Sequence, residues 1–288
     1  MPAAFARALE AVGSWPVPSA AAAVVGPAGV LAATGPTAAA FPLASVTKAL
    51  AALAMLVAVE EGALELADTA DPRLIPGATL RHLLAHASGL APERLLKSFE
   101  PAVRRVYSNV GIELAARLVE AAVQLPFAGY LDEAVVRPLG LRATSLPGSP
   151  ARDGRSSVDD LARVMAEILS PQGFLHPTTL ADATSVQYPG LRGVLPGFGG
   201  QDPNDWGLGF EIRAGKRPHW TGALNSPATF GHFGQSGTMF WIDPVARIGV
   251  VALADRDFGP WAAQTWPALS DAVLAVAHST LAPRPPVE

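Results

Sequence analysis

The chain has 288 residues, a formal net charge of −4 and a charged fraction of 16%. This composition indicates a globular protein with a sizeable core and excludes a disordered chain. The chain has no cysteine, which excludes disulfides and thiolate chemistry, and no dense basic cluster, so nucleic acid is not an expected partner.

The N-terminal segment does not resemble a signal peptide, because Arg7 and Glu10 interrupt its apolar stretch. The most apolar stretches, near 20–34 and 49–59, are broken by Gly and Pro or are too short to span a bilayer. The sequence therefore predicts a cytoplasmic protein without a membrane span. A mature secreted form that has lost its signal is the alternative.

The first predicted elements are a hairpin and a buried helix. "AAAAVVGPAGVLAAT" predicts two short strands around Gly26-Pro27. Residues 45–61 predict a helix that Gly62 closes, and because residues 49–59 are apolar on every side, this helix should lie between layers. Further helices are predicted at 79–86, 109–124, 127–136 and 157–169.

The C-terminal third changes character. "WGLGFEIR", "GTMFWIDP" and "ARIGVVALAD" have strand composition, and residues 261–278 return to a helix. Strands at both ends of the chain with helices between them predict an α+β fold, in which a central antiparallel sheet is flanked by helices. We expect one domain over 1–280, with an all-helical lobe at about 65–200, and a disordered tail over 281–288.

Ser45 and Lys48 stand three residues apart at the start of the buried helix, so they share a face within hydrogen-bonding reach. The chain has only 3 Lys against 18 Arg, and lysine, unlike arginine, can lose its proton when it is desolvated. The pair has the properties of a nucleophile with an adjacent base. Read alone, the same residues are more often a helix-capping serine and a surface lysine than a catalytic pair. Lys97 and Lys216 lie in polar stretches that suggest solvent.

Later segments give this pair a context. "TLRHLLAHASGLAP", "VYSNVGIELAARLVEAA", "YLDEAVVRPLGLRATSL" and "FGHFGQSGTMFWIDP" follow it in that order. Together these segments resemble the serine β-lactamase and penicillin-binding protein superfamily, most closely its class C β-lactamase, DD-peptidase and family VIII esterase branch. The resemblance runs from about residue 40 to 260, and Ser-x-x-Lys followed by Tyr-Ser-Asn is a specific combination.

The resemblance implies roles for four residues. Ser45 matches the acylated nucleophile and Lys48 the lysine that lowers its proton affinity. Tyr107 matches the tyrosine that shuttles protons, and Asn109 matches a residue that holds the lysine and the acyl group of the substrate. A tyrosine flanked by ammonium groups is expected to have a depressed pKa. Alone, Tyr107 would be a core residue before a helix cap.

The third motif departs from that of the β-lactamases, because His232-Phe233-Gly234 stands where they have Lys-Thr-Gly. Gly234 keeps the backbone open to substrate, and the N–H groups of Gln235 and Ser45 would form the oxyanion hole. A neutral imidazole attracts a substrate carboxylate weakly. His232 therefore favours uncharged acyl groups, unless it is a loop histidine without a catalytic part.

Two other motifs, a zinc site and an α/β-hydrolase nucleophile elbow, are less well supported by the sequence. His82 and His86 have a zinc-like spacing but no evident third ligand, and no Gly-x-Ser-x-Gly nucleophile elbow is present. No metal or cofactor is expected. The connections at 90–107 and 144–156 look short, which predicts an open cleft. Aromatic side chains could line this cleft, although such residues more often lie in the core: Phe233, Trp206, Trp220 and Trp241.

The sequence thus predicts a serine hydrolase that forms an acyl-enzyme on Ser45 and acts on small-molecule acyl esters or amides. A carboxylesterase is the preferred interpretation, and a β-lactamase or D-amino-acid peptidase is the alternative. A binding or regulatory module with little turnover is a second class of hypothesis, since a fold does not fix a function. The sequence leaves the oligomeric state open.

Overall fold

The computed structural model describes residues 2–281. Its centre is a six-stranded antiparallel sheet. In chain order the ten strands are β1 Ala20–Gly26, β2 Gly29–Thr34, β3 Phe41–Pro42, β4 Arg155–Ser156, β5 Gly193–Leu195, β6 Gly199–Gln201, β7 Glu211–Ile212, β8 Phe230–Gly234, β9 Thr238–Asp243 and β10 Ile248–Ala254. The large sheet has the order β2-β1-β10-β9-β8-β7, while β3 pairs with β4 and β5 with β6.

Eight α-helices accompany these strands within the described residues. They are α1 Pro2–Leu9, α2 Thr47–Glu60, α3 Leu80–Leu84, α4 Asn109–Val123, α5 Phe127–Leu131, α6 Val158–Leu169, α7 Pro177–Ala183 and α8 Pro260–Leu281. One turn of π-helix, Asp132–Val136, continues α5. Among residues 2–281, no helix is both long and apolar enough to cross a membrane.

The sheet is built from the two ends of the chain, as predicted. The hairpin β1–β2 forms around Gly26-Pro27, and β1 pairs with β10 so that Ala23 lies opposite Val251. Alternate residues of one strand point to opposite faces of a sheet. Val24 accordingly packs in one core and Val25 in the other. Because both faces are covered, the strand is an uninterrupted apolar run.

The two cores differ in the helices that cover them. Residues of α1 and α8 pack on one face of the sheet. Residues of α2, α4 and α6 pack with the other face. Helix α2 is buried on nearly every side, as its uniform apolar sequence predicted, and Gly62 follows it with a φ of +71°. The α+β fold class is confirmed.

Some elements differ from the sequence prediction. The N-terminal helix α1, strand β8, helix α7 and the two small sheets were not predicted, and "WGLGFEIR" forms only the two-residue strand β7. The other predicted helices form with ends shifted by a few residues. The division into one domain with a helical lobe stays a prediction. Of the predicted tail over 281–288, Leu281 ends α8 and the remainder lies outside the described residues.

Candidate active site

The candidate nucleophile lies in a strained turn. Ser45 belongs to a single turn of 3₁₀-helix, Ala44–Val46, and α2 begins only at Thr47. Ala44 has a φ of +45°, in the left-handed region that non-glycine residues seldom adopt. Such strain persists only where the surroundings enforce it, and it is common at functional sites. The turn places Ser45 at the N-terminal end of α2, where backbone N–H groups are free.

Strand β8 and the turn after it hold this segment in place. A side chain on Gly234 would meet the Leu43 carbonyl oxygen at 2.3 Å, so only glycine lets β8 lie this close to the nucleophile turn. Thr238 Oγ1 donates to the same Leu43 oxygen at 2.8 Å. The backbone of Gln235, the next residue after Gly234, is thereby brought to the same side of the site as Ser45.

Lys48 is the base candidate, and its side chain is fully buried. Its Nζ lies 3.2 Å from Ser45 Oγ and donates to the Ala151 carbonyl at 2.7 Å. Burial, and secondarily the charge of Arg152, lowers the pKa of Lys48 to about 7. A lysine with that pKa is substantially neutral near pH 7, and its lone pair can then accept the Ser45 proton.

Tyr107 completes the cluster. Lys48 Nζ lies 4.6 Å from the centre of the Tyr107 ring. The expectation of a depressed pKa is wrong. Burial raises the pKa of the Tyr107 phenol, and an opposing hydrogen-bond interaction with Ser45 does not compensate. Tyr107 is partly buried against the core, and desolvation of its phenolate outweighs the nearby cation. Tyr107 is therefore a neutral phenol that can donate a proton.

The histidines predicted as a possible zinc pair have other partners. His86 packs its ring 4.6 Å from that of Tyr107, and its Nδ1 accepts the Ser108 N–H. His82 Nδ1 caps the start of α3 by contacting Thr79. Through its ring contact, His86 supports the position of Tyr107. Over residues 2–281 no group of three or more His, Asp or Glu side chains could hold a metal ion.

Asn109 does not contact Lys48 as the resemblance implied. Its Nδ2 donates to Glu93 Oε1 at 2.5 Å, while its Oδ1 is buried without a partner in the described part of the chain. The Ala151 carbonyl takes the place of a side chain beside the lysine. Any backbone carbonyl oxygen can accept a hydrogen bond from a lysine, so no residue type in the sequence predicts this contact.

A small cavity of about 70 Å³ opens beside Ser45, and Tyr107, His232 and Gln235 also line it. The structure thus brings most of the predicted site residues together. Ordinary ligand pockets are several times larger, so this cavity suits a short chemical group. A larger groove of about 330 Å³ near Arg247 contains none of these residues.

The cavity walls explain its size. Leu195 and Pro196, from the unpredicted hairpin β5–β6, close one side, and Trp206 and Phe233 line it as well. The prediction of an open cleft is wrong because this hairpin supplies a wall. Trp220 and Trp241 lie in the core and do not line the cavity.

Glu211, which also lines the cavity, belongs to a buried polar cluster that was not predicted from the sequence. It pairs with Lys216 and accepts hydrogen bonds from His219 and Trp220 at 3.0 Å. Burial raises the pKa of Glu211, but attraction to His219 and Lys216 outweighs it and lowers the pKa to about 2. Lys216 is only 2% exposed, so its predicted placement in solvent is wrong. The sequence feature that could have predicted this cluster is the acidic Glu211 inside the largely apolar stretch "WGLGFEIR".

Glu211→Gln should destabilise the protein strongly, since it leaves the Lys216 ammonium buried without a countercharge. We expect a loss of about 3 kcal/mol in the free energy of unfolding, measured by urea denaturation at pH 7. The carboxylate's stabilisation is fully present above its unfolded pKa of 4.5 and is lost as pH falls toward about 2. The difference between wild type and variant should therefore shrink in that range.

The matched control for this change is Asp132→Asn, which removes the exposed ion pair with Arg137. Exposed pairs contribute about 0 to 1 kcal/mol, so this variant should unfold almost like wild type. Equal losses in the two variants would contradict the assignment of Glu211 as the charge partner that the fold requires.

Comparison with known proteins agrees with this geometry. The family model described as Beta-lactamase matches residues 7–275. A crystal structure of a β-lactamase from Mycobacterium bovis is 55% identical, with a TM-score of 0.91, over 94% of this chain and 99% of that chain.

Other similarities are more distant. Simvastatin synthase from Aspergillus terreus is 18% identical, with a TM-score of 0.79, over 96% of this chain and 98% of that chain. A Salmonella schwarzengrund protein with the provisional name D-alanyl-D-alanine carboxypeptidase is 25% identical over 217 residues. That alignment covers 56% of this chain and 48% of the relative, so this chain spans about half the length of the curated relatives it matches.

Proposed function

Because the chain belongs to the β-lactamase family, whose members are serine hydrolases, we propose that it forms an acyl-enzyme on Ser45 and hydrolyses small, uncharged acyl esters. The observation that carries the proposal is the 3.2 Å separation of Ser45 Oγ from a buried Lys48 Nζ with a pKa of about 7. A nucleophile is activated when an adjacent base can take its proton, and this pair meets that condition.

The proposed reaction starts with transfer of the Ser45 proton to neutral Lys48 while Oγ attacks the ester carbonyl carbon. The tetrahedral oxyanion is held by the N–H groups of Ser45 and Gln235. Tyr107, a neutral phenol, donates its proton to the departing alkoxide and is reprotonated through Lys48. Water then attacks the acyl-enzyme while neutral Lys48 accepts its proton. The second tetrahedral intermediate collapses, Lys48 returns that proton to Ser45 Oγ, and the carboxylic acid leaves.

The pH dependence of turnover should reflect the state of Lys48. Because the neutral amine is the active form, kcat/KM for an uncharged ester should rise with pH through about pH 7 and level off above it. The measurement is a profile from pH 5 to 9 with p-nitrophenyl butyrate, corrected for spontaneous hydrolysis. A profile that is flat or falls between pH 5.5 and 8 would count against Lys48 as the base.

The ester preference rests on His232. Burial, together with the nearby Lys48 charge, lowers the pKa of His232 to about 3, so the ring is neutral at working pH. A neutral ring offers no charge to the carboxylate that β-lactams and peptide C-termini carry. A β-lactamase or D-amino-acid peptidase remains the second candidate, because the M. bovis structure that is 55% identical is titled a β-lactamase.

One substrate panel separates these candidates. Wild type and Ser45→Ala are assayed side by side with p-nitrophenyl acetate, butyrate and octanoate, with nitrocefin and with a D-Ala-D-Ala peptide. We expect the short esters to have the highest kcat/KM, because the cavity holds only a small group, and we expect Ser45→Ala to be inactive. Faster turnover of nitrocefin or of the peptide would refute the esterase assignment.

A further inference from the structure

The protonation of His232 is fixed by its hydrogen bond. Its Nδ1 lies 2.8 Å from the carbonyl oxygen of Phe233, which can only accept a hydrogen bond. Nδ1 therefore carries the proton of the neutral ring. The other nitrogen, Nε2, consequently presents a lone pair and can act only as an acceptor.

This acceptor has no donor. Nε2 of His232 is buried and unpartnered among residues 2–281. Two aromatic rings lie beside it: the ring centre of Trp206 is 5.5 Å away and that of Tyr107 is 6.0 Å away. A buried acceptor without a donor is destabilising, and such groups in native proteins call for an explanation. His232 lines the cavity beside Ser45, so a bound group can supply the donor.

Glu211, a charged side chain of the cavity wall, is also an acceptor. Glu211 is ionised, and an ionised carboxylate only accepts hydrogen bonds. Its charge is held by Lys216 and His219, which lie behind it in the buried cluster. A substrate carboxylate in this cavity would face the Glu211 charge and the His232 lone pair together. An alkyl group would leave the lone pair unpaired, whereas a hydroxyl or amide N–H would satisfy it.

We infer that the substrate group entering this cavity carries an uncharged O–H or N–H donor that hydrogen-bonds to His232 Nε2. The substrates would then be short hydroxyl- or amide-bearing acyl esters, in preference to plain alkyl or carboxylate-bearing ones. This inference rests on the proposed ester hydrolysis at Ser45 and narrows its substrate class. The volume of about 70 Å³ limits the group to a few heavy atoms.

The test compares three p-nitrophenyl esters that differ at the end of the acyl chain: butyrate, 3-hydroxypropionate and hemisuccinate. A neutral hydrogen bond contributes about 0.5–1.5 kcal/mol, so kcat/KM for the hydroxy ester should exceed that for butyrate about three- to tenfold. Hemisuccinate should be at least about tenfold slower than butyrate. A hydroxy ester no faster than butyrate in wild type overturns the inference.

His232→Phe removes the acceptor while keeping an aromatic ring, so the ratio of hydroxy ester to butyrate should fall to about one. His278→Phe, a change on an exposed helix position, is the control and should keep the wild-type ratio. An unchanged ratio in a folded His232→Phe protein also overturns the inference. If that variant does not fold, the wild-type ratio still decides.

Binding to the Ser45→Ala protein provides a test that does not require turnover. Methyl 3-hydroxypropanoate should bind about three- to tenfold more tightly than methyl butyrate in a calorimetric titration. If wild type hydrolyses none of the esters while this preference is seen, the proposed function fails, whereas the donor contact at His232 Nε2 is supported. If butyrate is hydrolysed at Ser45 and neither comparison favours the hydroxyl, the inference alone fails.

Discussion

Replacing Lys48 with arginine is expected to lower kcat/KM for the best short ester by about 10³, although the positive charge is retained. A guanidinium does not deprotonate in proteins, so it cannot accept the Ser45 proton. General acid–base catalysis contributes about 10² to 10⁴ in rate, and the expected loss lies in that range. The larger guanidinium also cannot keep both the Ser45 contact and the 2.7 Å hydrogen bond to Ala151.

Lys97→Arg is the matched control for this change. Lys97 is partly exposed and its partner is the exposed Glu100, so the variant should keep wild-type kinetics. Thermal unfolding of both variants separates a catalytic effect from a folding defect. Lys48→Arg protein that is folded and retains more than about a tenth of wild-type activity would refute Lys48 as the base.

Tyr107→Phe is expected to reduce kcat by about 10² or more, with little change in ground-state binding of a small ester. The loss follows from removal of the proton that the neutral phenol donates to the leaving alkoxide. The loss should diminish for p-nitrophenyl esters and grow for ethyl esters, because a poor leaving group needs the proton more. Single-turnover kinetics with both ester types measure this difference.

The control for Tyr107→Phe is Tyr130→Phe, which removes a hydroxyl hydrogen-bonded to Glu61 and lies outside the cavity. It should leave kcat unchanged for both ester types. A Tyr107→Phe loss that is the same for good and poor leaving groups would assign Tyr107 a positioning role instead of a proton-donating one.

The sheet and the buried helix could be predicted because their signals are local. Uniformly apolar segments indicate burial on all sides, and this pattern is present in β1, β10 and α2. The Gly26-Pro27 turn indicates a hairpin. The Ser45 and Lys48 pairing was visible for the same reason, since a spacing of three residues at the start of a helix places two side chains on one face.

The remaining features depend on contacts between distant segments. Ala151 reaches Lys48 across 103 residues through a backbone oxygen, which has no residue-type signature. Lys216 looked exposed because its neighbours in sequence are polar, yet it is buried against Glu211. The pKa direction of Tyr107 was predicted wrongly because a sequence shows nearby cations but cannot measure desolvation, which dominates at this position.

Active-site labelling shows whether Ser45 is a covalent nucleophile. Wild-type protein is incubated with a fluorophosphonate probe and examined by intact-mass and peptide mass spectrometry. We expect one adduct, located on the peptide that contains Ser45, with no adduct in Ser45→Ala and normal labelling in the exposed-serine control Ser279→Ala. Equal labelling of wild type and Ser45→Ala, or labelling of neither, would contradict this expectation.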